Sequence, residues 1–273
     1  MKVISAQRAI RLTLGQGLKL FSLAIVALGI ETILCAWING DSPGGPYHVI
    51  HVLPWLPALP WLAYPFGLIF LFSGAGLLFP RVAKPSGIVL AGLLSCCALI
   101  IELPKYAIDL GNLSLRTTVL EPLSLASIAL LLPRTRPLPN WLLGLARFLL
   151  CLALFVFGID HFLGIAFIPR LIPVWIPLRT FWVVFTGIVF VAAGLSIFLK
   201  ALQFWGMVAL GSMFAVWVLV LHLPNCLGLN GIPGAPQNPN QWQSLFVAIA
   251  LWGGSWALAL HSPPRAGVEE DGQ

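Results

Sequence analysis

Eight long apolar runs with very few charges dominate this sequence. They cover residues 18–38, 61–79, 87–104, 119–132, 141–165, 180–199, 204–223 and 242–260. The hydrocarbon core of a bilayer needs about 20 apolar residues per helix, and somewhat fewer where neighbouring helices help. Of all residues, 59% are hydrophobic and 9% are charged, against roughly a quarter charged in soluble domains. The alternating ten-residue segments of a membrane barrel are absent. The sequence therefore predicts an all-α membrane protein with eight transmembrane helices.

The fourth run is the shortest, and it extends back through Leu113-Ser114-Leu115. This extension would take Arg116 and Glu121 into the helix or its interface.

A four-run pattern occurs twice along the chain. Trp55-Leu56-Pro57, Gly67, Gly74, Leu103-Pro104 and Glu121 recur 120 residues later as Trp175-Ile176-Pro177, Gly187, Gly194, Leu223-Pro224 and Gln241. The pattern predicts a tandem duplication with repeats at 17–133 and 145–262, a cytoplasmic linker at 134–144, and cytoplasmic tails at 1–16 and 263–273. Because each unit has an even number of spans, the two four-helix units should be related by a pseudo-twofold axis along the membrane normal.

Lysine and arginine predict the orientation in the membrane. With both termini in the cytoplasm, inside segments hold eleven of these residues and outside segments hold four, as the positive-inside rule expects. The net charge of +6 is then explained by attraction to anionic lipid rather than by nucleic acid. The first run is expected to remain as a signal anchor, and the bacterial inner (cytoplasmic) membrane is the expected location.

Few ionisable residues lie within the predicted helices, and such residues are functional candidates by default. They are Glu31, Glu102, Asp160, His161 and His222. Across the duplication Glu102 matches His222 at the offset of 120, and Glu31 matches Asp160 at an offset of 129, because the first connecting loop is nine residues longer. This pattern predicts a proton-exchanging site, with Asp160, His161 and His222 together in the outer half of the second repeat and a weaker counterpart in the first. The alternative is that these side chains reach to the outer interface or tie helices together.

The repeated Trp-x-Pro connections have two interpretations. Trp55, Pro57, Trp175 and Pro177 could cover a binding site. Alternatively, the tryptophans anchor helix ends at the membrane interface and each proline starts a helix.

Other kinds of site have weaker support. The five cysteines include no Cys-x-x-Cys pair for a thiol relay, although a disulfide between Cys35 and Cys226 stays open. His161 and His222 could bracket a haem, but Thr32 and Glu102 stand at the matching places of the first half. His48 and His51 alone are too sparse for a metal site. No metal is predicted, and the cofactor is left open with a quinone as the candidate.

The second half contains Gly158-Ile159-Asp160-His161-Phe162, Pro173-Val174-Trp175-Ile176-Pro177, a glycine-rich helix and the late His222-Leu223-Pro224. In these motifs it resembles the DoxX-like family of four-helix membrane proteins. The family is named after a membrane subunit of a thiosulfate:quinone oxidoreductase. The resemblance implies a membrane or quinone-facing subunit of an oxidoreductase, with a partner protein that holds the redox cofactor. The alternative is a non-enzymatic membrane protein that binds or transports a small lipophilic or organic solute.

Reporter fusions test the predicted topology. Reporters placed after Ser42, Leu110, Arg170 and Gly231 follow the first, third, fifth and seventh runs. We expect all four to report the outer side of the membrane in a paired phosphatase and fluorescent-protein assay. A cytoplasmic signal at Gly231 would contradict the eight-span topology.

Overall fold

The computed structural model describes residues 12–39, 60–132, 138–231 and 234–260, and these residues form eight main helices. The helices are α1 (Gly17–Asn39), α2 (Ala63–Gly76), α3 (Ala83–Ile108), α4 (Leu113–Leu131), α5 (Asn140–Leu163), α6 (Arg179–Ser196), α7 (Lys200–Trp217, continuing to Cys226) and α8 (Pro239–Ala259). Each overlaps one predicted apolar run, and α4 includes the predicted extension through Leu113. Short 3₁₀ turns at Pro60–Leu62, Ile168–Leu171 and Ala235–Gln237 lie in the connections.

Six of these helices are long and apolar enough to cross a membrane. They are α1, α3, α4, α5, α6 and α7. The described part of α2 is shorter, at 14 residues. The expectation of an all-helical, multi-pass membrane protein is confirmed at this level.

The order in which helices pack links the two halves of the chain. Each helix packs on the next one in sequence, α8 packs along α1, and α4 also contacts α8. Thus α4, the last helix of the first half, packs on α5, the first helix of the second half. In the same way α8, the last helix of the second half, packs on α1. A single apolar core runs through both halves and includes Phe21, Leu125, Leu154 and Leu251.

Glycines allow the first two helices of each half to approach closely. A Cβ atom at Gly29 would lie 2.6 Å from the carbonyl oxygen of Gly67, and one at Gly158 would lie 2.7 Å from that of Gly187. Real Cβ atoms do not tolerate such distances, so backbone-to-backbone packing requires glycine at these crossings. The repeated glycines Gly67 and Gly187 therefore lie at matching helix crossings in the two halves.

A π-helical turn interrupts α3 at Cys97–Glu102 and α7 at Val218–His222. Each π turn comes immediately before a Leu-Pro pair, Leu103-Pro104 or Leu223-Pro224. Proline lacks an N–H and its ring clashes with the carbonyl group four residues earlier, and a wider turn relieves both problems. As a result, Glu102 and His222 are the last residues of their π turns.

Substitution of Gly29 tests the close crossing of α1 and α2. Gly29→Ala should destabilise the protein by about 1–3 kcal/mol, because an added methyl group has no room there. Gly92→Ala in α3 is the matched control, since a Cβ at Gly92 meets nothing within 4 Å. The control should be neutral or mildly stabilising, because alanine favours the helix. Thermal unfolding in detergent measures both, and equal effects would contradict the assigned packing.

Candidate functional site

A cavity of ≈ 670 Å³ lies among α4, α5, α6, α7 and α8. It is placed where α5 ends and α4 begins. Part of its wall is aromatic, from Phe157, Phe167, Phe190, Phe214 and Trp217. These rings are held by their packing: the Phe190 ring lies edge-on to both Phe157 and Phe214, at 5.6 Å in each case. The cavity has the size and apolar lining of a small-molecule site.

Four titratable side chains line this cavity, and they come from three helices. Asp160 and His161 lie in the last turn of α5, His222 ends the π turn of α7, and Glu121 lies in the middle of α4. The structure therefore brings together the three second-half residues that the sequence groups, Asp160, His161 and His222. Glu121 is an addition, because the sequence suggests its entry into the membrane region without assigning it to the site.

Asp160 is paired with Arg116 in α4. The Nε of Arg116 donates to Oδ2 of Asp160 at 3.3 Å, and Nη2 donates to Oδ1. The sequence groups Asp160 with the two histidines, and the structure gives it Arg116 as its hydrogen-bonding partner. Asp160 is only 5% exposed, so its charge needs this partner. The extension of the fourth run takes Arg116 into the α4 region, but the sequence alone does not show that α4 packs against the end of α5.

The two histidines have different surroundings. Nδ1 of His161 lies 2.7 Å from the carbonyl oxygen of Phe157, and its ring centroid lies 5.2 Å from that of Phe190. A proton on Nδ1 would make this a hydrogen bond and leave Nε2 as an acceptor. Within the described residues, the ring of His222 makes no hydrogen bond. His222 therefore keeps its hydrogen-bonding capacity for a molecule in the cavity.

The connection between α5 and α6 forms one wall of the cavity. Its inner residues are Ile168 and Ile172, and Ile172 packs with Ile176 and Val183 in a small apolar cluster. Leu178 precedes α6 with φ 54°, a backbone conformation that is unfavourable for leucine. The packed isoleucines hold this connection against the helices.

The residues predicted to bind through the Trp-x-Pro connection do not line the cavity. Trp175 is exposed, and its indole N–H donates to Oδ1 of Asn230 at 3.4 Å. The carbonyl oxygen of Pro177 accepts from the indole of Trp182 at 3.1 Å. These hydrogen bonds stabilise the connection between α5 and α6, and neither Trp175 nor Pro177 lines the cavity. Trp55 and Pro57 lie outside the described residues.

In the first half, the predicted acids make separate contacts. Oε1 of Glu31 accepts from the Cys35 thiol at 3.2 Å, and Oε1 of Glu102 pairs with Lys105 at 3.1 Å. The second carboxyl oxygen of each is buried without a partner among the described residues. Neither acid lines the cavity. Cys35 and Cys226 are both free thiols.

Comparison with known proteins leaves the site to be interpreted from its own chemistry. No protein-family model matches the chain, and no curated protein or solved structure matches it. The DoxX-like resemblance therefore stays a hypothesis that rests on the quoted motifs.

Removal of one member of the Arg116–Asp160 pair should be costly. Arg116→Met leaves a buried, unpaired carboxylate, a change that typically costs about 3–5 kcal/mol. The double variant Arg116→Met/Asp160→Asn removes both charges and should recover most of that loss. Stability in detergent against added denaturant measures each variant. Equal destabilisation of the single and double variants would contradict a coupled pair.

Proposed function

We propose that this protein is a DoxX-like membrane subunit that binds a quinone in the cavity and exchanges protons with it. The supporting observation is that Asp160, His161, His222 and Glu121 line one cavity whose largely apolar wall includes several aromatic rings. Aromatic walls favour a flat ring through offset or edge-on contacts. Polar groups that converge on such a wall can orient the ring by hydrogen bonds.

The ring of His222 can donate a hydrogen bond to a carbonyl oxygen of a quinone, while Nε2 of His161 can accept one from a hydroxyl group of the quinol. Reduction of a quinone to a quinol takes up two electrons and two protons, so hydrogen-bond donors at the oxygens also supply protons. A neutral imidazole has one N–H donor and one acceptor nitrogen, so its ring can give up a proton on one side and take one up on the other. The electrons would come from a partner subunit that holds a redox cofactor, because this chain has no cofactor motif. Asp160, paired with Arg116, would position His161 at the end of α5.

The proposal includes a tandem duplication with a pseudo-twofold axis. Three observations support it. The order of packed helices is the same in both halves, and both π turns end just before a Leu-Pro pair. Third, each half contains a close contact between a glycine and a serine, and the two residue types have changed places between the halves. A Cβ at Gly76 would meet the Ser86 hydroxyl, and one at Gly206 would meet that of Ser196. Residues 76 and 196, and 86 and 206, are 120 positions apart.

In this account the protein lies in the bacterial inner membrane with both termini in the cytoplasm. The cavity then opens toward the outer face. The eleven-to-four distribution of basic residues supports that orientation.

A second candidate function is the binding or transport of a small organic solute without redox chemistry. The polar side of the cavity favours it. Ser114 and Thr117 on α4, together with Asn240, Gln243 and Ser244 on α8, form a polar strip along the contact of these two helices. A strip of this kind would let a polar molecule enter from the aqueous phase.

Direct binding of a short-chain ubiquinone to the purified protein tests the proposal. His222→Ala should weaken binding about tenfold, because it removes a hydrogen bond worth roughly 1.4 kcal/mol. Leu219→Ala is the matched control, since Leu219 lies in the same π turn and is 60% exposed. Quenching of tryptophan fluorescence gives the dissociation constants.

Failure of the wild-type protein to bind would contradict the quinone proposal. Mass spectrometry of co-purified small molecules would then identify a solute for the second candidate.

A further inference from the structure

The chain reverses sharply at the end of α7 and places Asn230 beside the π turn. Gly228 has φ 72°, a left-handed conformation that suits glycine. Its amide donates to the carbonyl oxygen of Asn225 at 3.1 Å. The amide of Leu229 donates to the carbonyl oxygen of Pro224 at 2.8 Å. These two hydrogen bonds form a Schellman motif, which ends the helix and turns the chain back. Asn230 therefore lies against the last turns of α7.

The Asn230 side chain bonds to the chain on both sides of His222. Its Nδ2 donates to Oδ1 of Asn225 at 2.7 Å and, in a longer contact, to the carbonyl oxygen of Leu221 at 3.4 Å. Leu221 directly precedes His222 in the π turn, and Asn225 follows His222 by about one helical turn. Asn225 is only 6% exposed, and a buried amide group needs such a partner. One side chain therefore holds the backbone that carries His222.

The same side chain contacts the connection between α5 and α6. Oδ1 of Asn230 accepts from the indole N–H of Trp175 at 3.4 Å, and this connection forms one wall of the cavity. On the other side, Nδ2 of Asn225 donates to Oε1 of Gln241 in α8 at 3.4 Å. The network thus joins α7 to two other elements that line the cavity.

The first half has different residues at the matching positions of this network. The residues 120 positions before Asn225, Asn230 and Gln241 are Lys105, Leu110 and Glu121. A leucine side chain cannot form a hydrogen bond, and Lys105 pairs with Glu102. The network is therefore particular to the half whose π turn ends in a histidine.

We infer that Asn230 is a positioning residue of the site. It holds the π turn so that the His222 ring faces the cavity, and through Trp175 it holds the connection that forms the wall. Asn230 does not line the cavity, so it acts on a bound molecule only through these neighbours. The inference rests on the proposed function only for the identity of that molecule.

Nuclear magnetic resonance of isotope-labelled histidine rings tests the placement of His222 in the ligand-free protein. Asn230→Leu removes the side-chain donor and acceptor, and leucine is the residue type found at the matching position, Leu110. We expect the ring signals of His222 to shift, because the π turn loses its partner. The signals of His161 should stay in place, since its ring lies against the Phe157 carbonyl oxygen. Asn230→Ala should give the same shifts without the bulk of leucine.

Hydrogen exchange of the same ligand-free protein locates the effect along the chain. Asn230→Leu should speed amide exchange about tenfold in Val218–Cys226 and in 166–178, because each segment loses a hydrogen bond. Trp175→Phe leaves Asn230 bonded to α7 and should speed exchange in 166–178 alone. Leu229→Ala is the matched control, since Leu229 lies in the same turn and is 73% exposed. It should change neither segment.

Two results would overturn the inference. The first is that the His222 signals and the exchange of the π turn stay unchanged in the Asn230 variants. The second is that Trp175→Phe affects the π turn as strongly as Asn230→Leu does, because the connection rather than Asn230 would then position His222.

Binding of a short-chain ubiquinone separates this inference from the quinone proposal. Asn230→Leu should weaken binding about tenfold, as His222→Ala does, while Leu229→Ala should bind like the wild type. If the His222 signals shift but the wild-type protein binds no quinone, the positioning role stands and the proposed function fails. If the wild type and Asn230→Leu bind quinone equally and the signals do not shift, the positioning role fails and the proposed function stands.

Discussion

A polar group inside a lipid-embedded bundle must find its partner within the protein, because hydrocarbon offers none. This constraint explains where the few ionisable side chains lie. Asp160 meets Arg116 from the neighbouring helix, Glu102 meets Lys105, and Glu31 accepts from Cys35. The groups left without protein partners are informative. The His222 ring and the Glu121 carboxyl group, unpaired within the described residues, both line the cavity at the end of α5.

The site depends on contacts between the halves of the chain. Arg116 and Glu121 come from α4 in the first half, while Asp160, His161 and His222 come from α5 and α7. Because α4 packs on α5, the first half supplies both the cation that neutralises Asp160 and an acid for the cavity wall. A four-helix unit alone would lack both groups. In our account the cavity of the second half is therefore completed by residues that the first half supplies.

Much of the fold was predictable, because long apolar runs have few alternatives to membrane helices. The eight runs match the eight helices. The sequence grouped Asp160 with His161 and His222 because all three lie near the outer ends of their predicted helices and match residues of the first half. The Arg116–Asp160 pair was not predicted, since 44 residues separate the partners and sequence spacing does not specify which helices pack. The π turns were also missed, although Pro104 and Pro224 are their local cause. The recurrence of the Trp-x-Pro motif suggested a binding role for Trp175. Its indole N–H instead donates to Asn230, and the residue does not line the cavity.

Photolabelling with an azido-quinone in native membranes tests the central claim most directly, namely that the cavity holds a quinone ring. After illumination, mass spectrometry of digested protein locates the attached label. We expect labelled peptides from the end of α5 and from the π turn of α7, with labelling suppressed by excess unlabelled ubiquinone. Labels confined to lipid-facing residues, such as Phe148 or Leu202, or insensitive to competition, would contradict the account.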